Sequence, residues 1–196
     1  MLFAALPASA SSIIMEFDVL TAGTAASGNP SIILDDEAGP DQIRVTVDTT
    51  ALLATDVLSA IHLNYAGPFP PSPSLGLTNV SGPAAAIVPN IGDGFWSGGN
   101  AGDFDIRLSF ANFGGGQISV FTFDQMGIAL SDFLVQSTNG YYAAANLNGL
   151  GAQMSSAGWQ AVDDFGVGAV PEPSAGLCYA VGLVVVGSAL RRRKTA

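Results

Sequence analysis

Few side chains in this sequence are suited to chemistry. Asp103 and Asp105 stand at period two in an alternating stretch, so one strand would set both carboxylates on one face. Two carboxylates so placed are the acid–base equipment of a glycosidase, but nothing around them forms a recognisable catalytic setting, and acidic residues are common on any solvated face. His62 is the single histidine. A Ser-His-Asp arrangement would have to use it, yet it sits among Ile61, Leu63 and Tyr65 with no Gly-x-Ser-x-Gly elbow in the chain, and reads as a solvent-facing or edge histidine of a strand. Zinc chemistry fails for want of ligands, and a phosphate loop fails because no Gly-x-x-x-x-Gly-Lys occurs. The expectation is a protein without catalysis.

Binding chemistry has more to work with. Asp93, Asn100, Asp103 and Asp105 gather around a glycine-rich loop, and Asp35, Asp36, Glu37 and Asp41 form a second group. Oxygen ligands on loops are what calcium takes. Neither group follows the EF-hand spacing, and ordinary solvated turns explain both as well. Trp96 and Trp159, with Tyr141 or Tyr142, offer flat faces on which a sugar ring could stack. Trp96, among glycines in an acidic loop, is expected to be exposed; core packing accounts equally for Trp159.

The elements that must position these residues are strands. Ile13, Met15, Phe17 and Val19 alternate with Glu16 and Asp18, and Ile43, Val45 and Val47 alternate with Arg44, Thr46 and Asp48. Ile61, Leu63 and Tyr65 point one way and His62 and Asn64 the other. Phe104, Ile106, Leu108 and Phe110 alternate with Asp105, Arg107 and Ser109; after a turn at 114–116, Ser119, Phe121 and Phe123 alternate with Val120 and Thr122. A connector with Pro68, Pro70, Pro71 and Pro73 reads as a rigid loop. No helical stripe of ten residues precedes the C-terminal tail. Many short strands punctuated by Gly, Pro, Asn and Asp predict an all-β fold over residues 11–169, an antiparallel β-sandwich of the jelly-roll or immunoglobulin-like kind.

Charge and cysteine usage narrow the setting. Before Pro171 the chain has fifteen acidic residues against two basic ones, Arg44 and Arg107, a net of −13. Such a domain is repelled by nucleic acid and by anionic membranes, so nucleic-acid binding is excluded. The one cysteine, Cys178, lies beyond the domain, which therefore has no internal disulfide. Residues 1–10 close on Ala8, Ser9 and Ala10, the small-x-small pattern of a signal-peptidase site, but lack a basic n-region. They are expected to be the remnant of a longer export signal cut after Ala10.

The tail carries the sharpest pattern. Val170, Pro171, Glu172, Pro173 and Ser174 precede sixteen uncharged residues, Ala175 to Leu190, followed by Arg191, Arg192, Arg193 and Lys194. As a helix the run spans roughly 24 Å, a little short of the ~20 residues that usually cross a bilayer. Local thinning and snorkelling arginines accommodate the difference. The basic cluster stays on the cytoplasmic side, which places the domain across the membrane. Pro171 and Pro173 hold an extended, accessible stretch before the span.

These parts, in this order, resemble a PEP-CTERM sorting signal. The resemblance covers residues 170–196 alone. It implies recognition of Pro171, Glu172 and Pro173 by an exosortase, a multi-pass membrane cysteine protease-transpeptidase of Gram-negative, exopolysaccharide-producing bacteria. It also implies transient insertion in the inner membrane, removal of the span, and delivery to the outer surface or extracellular matrix. Tyr141 to Ala145, the Gly149-Leu150-Gly151 turn and Gly158-Trp159 are similar to the final strands of a group of PEP-CTERM surface proteins. That group carries a histidine after its Ala-Ala, where this chain has Ala145 and then Asn146, so no role of that histidine transfers. The expectation is an exported structural or interaction protein, its partners being the exosortase, the export machinery and extracellular polysaccharide. Two alternatives stand beside it: a carbohydrate-binding or calcium-stabilised adhesion module, and a protein permanently anchored by an uncut tail.

Overall fold

A computed structural model describes residues 11–67, 75–88, 94–149 and 157–169. Residues 1–10, expected to be a signal remnant, the proline-rich connector from Pro68 on, Asp93 and the whole tail lie outside the described residues. The tail includes Pro171, Glu172, Pro173, the apolar span expected as a transmembrane helix, and the basic run Arg191 to Lys194 expected as its stop. Among the described residues no helix is long and apolar enough to cross a membrane.

The domain is all-β and antiparallel. Its strands are β1 (Ser11–Glu16), β2 (Val19–Gly23), β3 (Ser31–Asp35), β4 (Gln42–Asp48), β5 (Val57–Leu63), β6 (Thr78–Ser81) and β7 (Ala85–Ile87). They continue as β8 (Trp96–Ser97), β9 (Asp103–Phe104), β10 (Ile106–Gly114), β11 (Ile118–Asp124), β12 (Ala143–Asn148), β13 (Ala157–Val162) and β14 (Gly166–Ala169). One sheet has the order β14-β1-β3-β4-β11-β6 and the other β2-β13-β12-β5-β10-β7, while β8 and β9 form a two-stranded ribbon of their own.

Pairing is nested. The strand β1 lies beside β14, β2 beside β13, β4 beside β11 and β5 beside β10, and these pairs alternate between the two sheets. The second half of the chain thus folds back along the first in reverse order. Most close pairings are therefore long-range.

The core lies between the sheets. Met15, Leu34, Val45 and Phe121 enter it from the first sheet and Leu58, Ile61, Leu108 and Leu147 from the second, each fully buried. Alternation explains the clean cases: β4 buries Ile43, Val45 and Val47 and leaves Arg44, Thr46 and Asp48 half-exposed. The strand β11 buries Ser119, Phe121 and Phe123 on its inner side.

Two expectations need correction. The alternating run from Ile13 through Val19 is not one strand: it breaks at Phe17 and Asp18, and β2 joins the other sheet. At this corner the Phe17 amide donates to the Pro30 carbonyl at 3.0 Å and the Phe17 ring is fully buried. The inward face therefore continues as far as Phe17, while Val19 beyond it is only half-buried and the hydrogen-bonding partners change. Likewise Phe104 does not share the core of Ile106, Leu108 and Phe110. A bend at Asp105 separates β9 from β10 and sends Phe104 to the outer face of the second sheet.

Candidate functional site

The outer face of the second sheet is covered, and what covers it makes the candidate site. Strand register sets a row across this face: Arg107 on β10 stands opposite His62 on β5, His62 opposite Ala144 on β12, and Ala144 opposite Ala161 on β13. The two alanines leave a shallow floor beside two long polar side chains. Into it pack Ala101 and Phe104 from the ribbon segment, forming a small second core flanked by Tyr141 and Trp159. Gly98 has to be a glycine here, because a methyl group on it would overlap the Phe104 ring. Gly99, at φ +65°, lays its backbone on the Trp159 indole.

The segment is tied down by polar contacts. Asp105 is 7% exposed and accepts from the backbone amides of Tyr65 at 2.9 Å and Gly94 at 2.7 Å. The Asn100 amide donates to the Thr21 carbonyl at 2.8 Å, Asn139 donates to the Asn100 carbonyl at 2.8 Å, and the Ser137 hydroxyl donates to the Ala101 carbonyl at 2.6 Å.

Beneath the segment His62 is 2% exposed. It is thus a buried residue of an inner strand, not the solvent-facing or edge histidine its sequence neighbours suggest. Three rings meet it edge-on, Trp159 at 5.0 Å, Phe104 at 6.1 Å and Trp96 at 6.5 Å between centroids. Neither ring nitrogen has a hydrogen-bond partner. Burial, aided by the neighbouring Arg107 charge, lowers its pKa to about 3, so the ring is neutral at ordinary pH. The Arg107 guanidinium lies over the Trp96 ring, 5.2 Å from its centroid. Its Nε is buried without a partner, and among the described residues the ion pairs belong to Arg44 instead. An unmade buried hydrogen bond costs about 1–3 kcal/mol. Hydrocarbon in place of His62 would fill the same space without that cost.

The residues expected to act as sites divide. The structure brings Trp96 and Trp159 together around His62, but Trp159 has its face under Gly99 and Trp96 is half-buried, whereas Phe95 beside it is 57% exposed. Tyr141 flanks the small core, and Tyr142 packs on Phe165 at 5.0 Å. Asp103 and Asp105 do not share one strand face: Asp103 is exposed in the ribbon opposite Ser97, and Asp105 is turned inward at the bend to hold two amides. That geometry separates these two carboxylates, so they do not form the pair a glycosidase would use. Of the calcium group, Asp93 lies outside the described residues, Asn100 points its amide nitrogen at Thr21, and Asp105 is engaged as above.

In the second acidic group Asp35 and Glu37 approach Arg44 at 3.8 and 3.6 Å, Asp36 accepts from the Ser11 amide, and Asp41 accepts from the Gly127 amide. Among the described residues no three acidic, His or Cys side chains are grouped to hold a metal. Asn146, on the same outer face as His62, accepts from the Ser59 hydroxyl at 2.6 Å. A separate open cleft of about 320 Å³ is lined by Ile14, Glu16, Asp18, Asp163, Asp164 and Phe165.

Arg107 and Phe104 were not among the expected site residues. The signal for Arg107 was legible as one of two cations in a strongly acidic domain. Phe104 was hidden by an alternation that runs straight through the bend. No protein-family model, curated protein or solved structure matches this chain.

Proposed function

We propose that the chain is an exported protein whose β-sandwich is directed to the cell surface or extracellular matrix by a tail of the PEP-CTERM kind. Its role is structural or interactive and it carries out no reaction of its own. The observation that carries this is the order of three parts at the C-terminus: Pro171-Glu172-Pro173, an uncharged run, and Arg191 to Lys194. An exosortase in the inner membrane would read the proline-flanked glutamate and remove the span. Supporting the jelly-roll version of the sandwich over the immunoglobulin-like one is the nested pairing, in which strands from the two ends of the chain pair in alternating sheets.

Intact mass and fractionation in an exosortase-bearing Gram-negative host test the sorting claim. The expected outcome is a wild-type chain that has lost the segment beyond the motif and left the inner membrane, and a Glu172→Ala chain that keeps both. If both chains stay whole in the inner membrane, the tail is a permanent anchor and the sorting reading fails.

A second reading, an interaction module for carbohydrate, is favoured by the aromatic cage around His62 and the exposed Phe95 beside it. The calcium-stabilised version draws less support, since Asp105 and Asn100 are already engaged with backbone groups.

A further inference from the structure

We infer that Phe95, Trp96 and Arg107 form the mouth of a binding site for an acidic saccharide, a sugar bearing a uronate carboxylate, with His62 as its buried polar floor. This rests on the interaction-module reading and names the ligand class. The first observation is charge placement. In a domain with fifteen acidic residues against two basic ones, Arg44 is spent on Asp35 and Glu37. Arg107 has no carboxylate partner among the described residues and keeps a buried, unpartnered Nε. A planar guanidinium fixed against an indole is shaped to receive a carboxylate through two parallel N–H donors.

The second observation is the surface beside it. Phe95 is 57% exposed and meets Trp96 at 5.1 Å, edge to face, so an aromatic platform adjoins the cation. Apolar sugar faces stack on such platforms. The third is the pair of unpartnered nitrogens on His62, which is 98% buried, being 2% exposed. A neutral imidazole offers one donor and one acceptor, the complement of a hydroxyl group.

Access runs through β8. It is two residues long, pairs among the described residues with β9 alone, and follows Gly94 at φ +63°. The bonds of Asn100, Ala101 and Asp105 hold the segment on either side of it, and ligand entry is inferred to displace β8 from over His62. Ligand class follows from the balance of charge. A polyphosphate or nucleic acid brings charge without a match for the aromatic platform and is repelled by a domain of net −13, whereas a single uronate ring brings one carboxylate to Arg107 and an apolar face to Phe95.

The test uses the full-length chain in a polyoxyethylene-ether detergent, with tryptophan fluorescence followed during titration. The probes are a short oligouronate, a neutral glucose oligosaccharide and polyglutamate. The expected result is a saturable change with the oligouronate alone, weakened by salt, and about tenfold weaker or lost in Arg107→Gln. His62→Phe is expected to weaken binding while holding or raising the melting temperature. His62→Gln, which keeps a donor and an acceptor, retains part of the affinity and serves if the Phe variant does not fold. No response to the oligouronate overturns the proposal, as does a response unchanged in Arg107→Gln. An equal response to polyglutamate removes the saccharide. An equal response to the neutral sugar removes the acidic class but leaves the interaction module standing, and none of these outcomes touches the sorting reading.

Discussion

Strands β4 and β5 are both seven residues long and both alternate in sequence, yet they meet different surroundings. The strand β4 buries one face and leaves Arg44, Thr46 and Asp48 half-exposed on the other; β5 buries its inner Leu58 and Ile61 and also its outer Ala60 and His62. One sheet behaves as a half-solvated antiparallel sheet should. The other is overlaid by a segment that belongs to neither sheet. The difference teaches that alternation tells which side chains share a face, and that a second cover has to come from elsewhere in the chain.

The largest expected effect sets the two cores against each other. Phe121→Ala, in the core between the sheets, is expected to cost about 3–5 kcal/mol in denaturant unfolding and to lower protection from hydrogen exchange throughout the domain. Phe104→Ala, in the small outer core, is expected to speed exchange at residues 94–105 while β1, β4 and β11 keep their protection. If Phe104→Ala loosened the whole domain equally, the outer cover would be part of the main folding unit and the contrast would vanish.

An intermediate effect distinguishes the faces by pH. The His62 pKa is lowered to about 3 in the fold from an ordinary value of 6.5. The unfolded chain therefore takes up a proton below pH 6.5 that the folded chain refuses. The stabilising contribution is present above pH 6.5 and is lost as pH falls from there towards 3. Between pH 7.5 and 5 the loss is up to about 2 kcal/mol. Urea unfolding of wild type and His62→Phe across that range is expected to show this slope in the first and its removal in the second. Equal slopes would mean that His62 is reached by water in the native state.

The smallest effect belongs to the solvated face. Arg44 bridges Asp35 and Glu37 at 3.8 and 3.6 Å with its side chain 39% exposed, and such ion pairs contribute about 0–1 kcal/mol. Arg44→Gln is expected to shift the unfolding midpoint little and less still at high salt. A loss as large as that of Phe121→Ala would make the two outer faces alike in their importance.

Much of the fold is legible in the sequence alone. The inward sets Ile43-Val45-Val47 and Ile61-Leu63-Tyr65 were readable because period two is a local property, set by the extended backbone itself. The glycine turn between β10 and β11 was readable for the same reason: it needs only neighbouring residues. Less of the candidate site was legible. Trp96 and Trp159 stood out by type, but the sequence offered no sign that they meet at His62, because β13 and the ribbon reach β5 only through long-range packing.

The sequence by itself determined the main alternating stretches, the inward side of most of them, the charge imbalance and the ordered pattern of the tail. These follow from local backbone geometry and from composition. Tertiary structure alone decided that the run from Ile13 to Val19 changes sheets at Phe17, that Asp105 turns Phe104 to the opposite face, and that His62 lies under a cover. Each depends on which distant segment supplies the next hydrogen-bond partner or apolar neighbour. No Gly or Pro marks the corner at Phe17 and Asp18, and an Asp inside an alternating run reads the same whether it faces water or clamps two backbone amides.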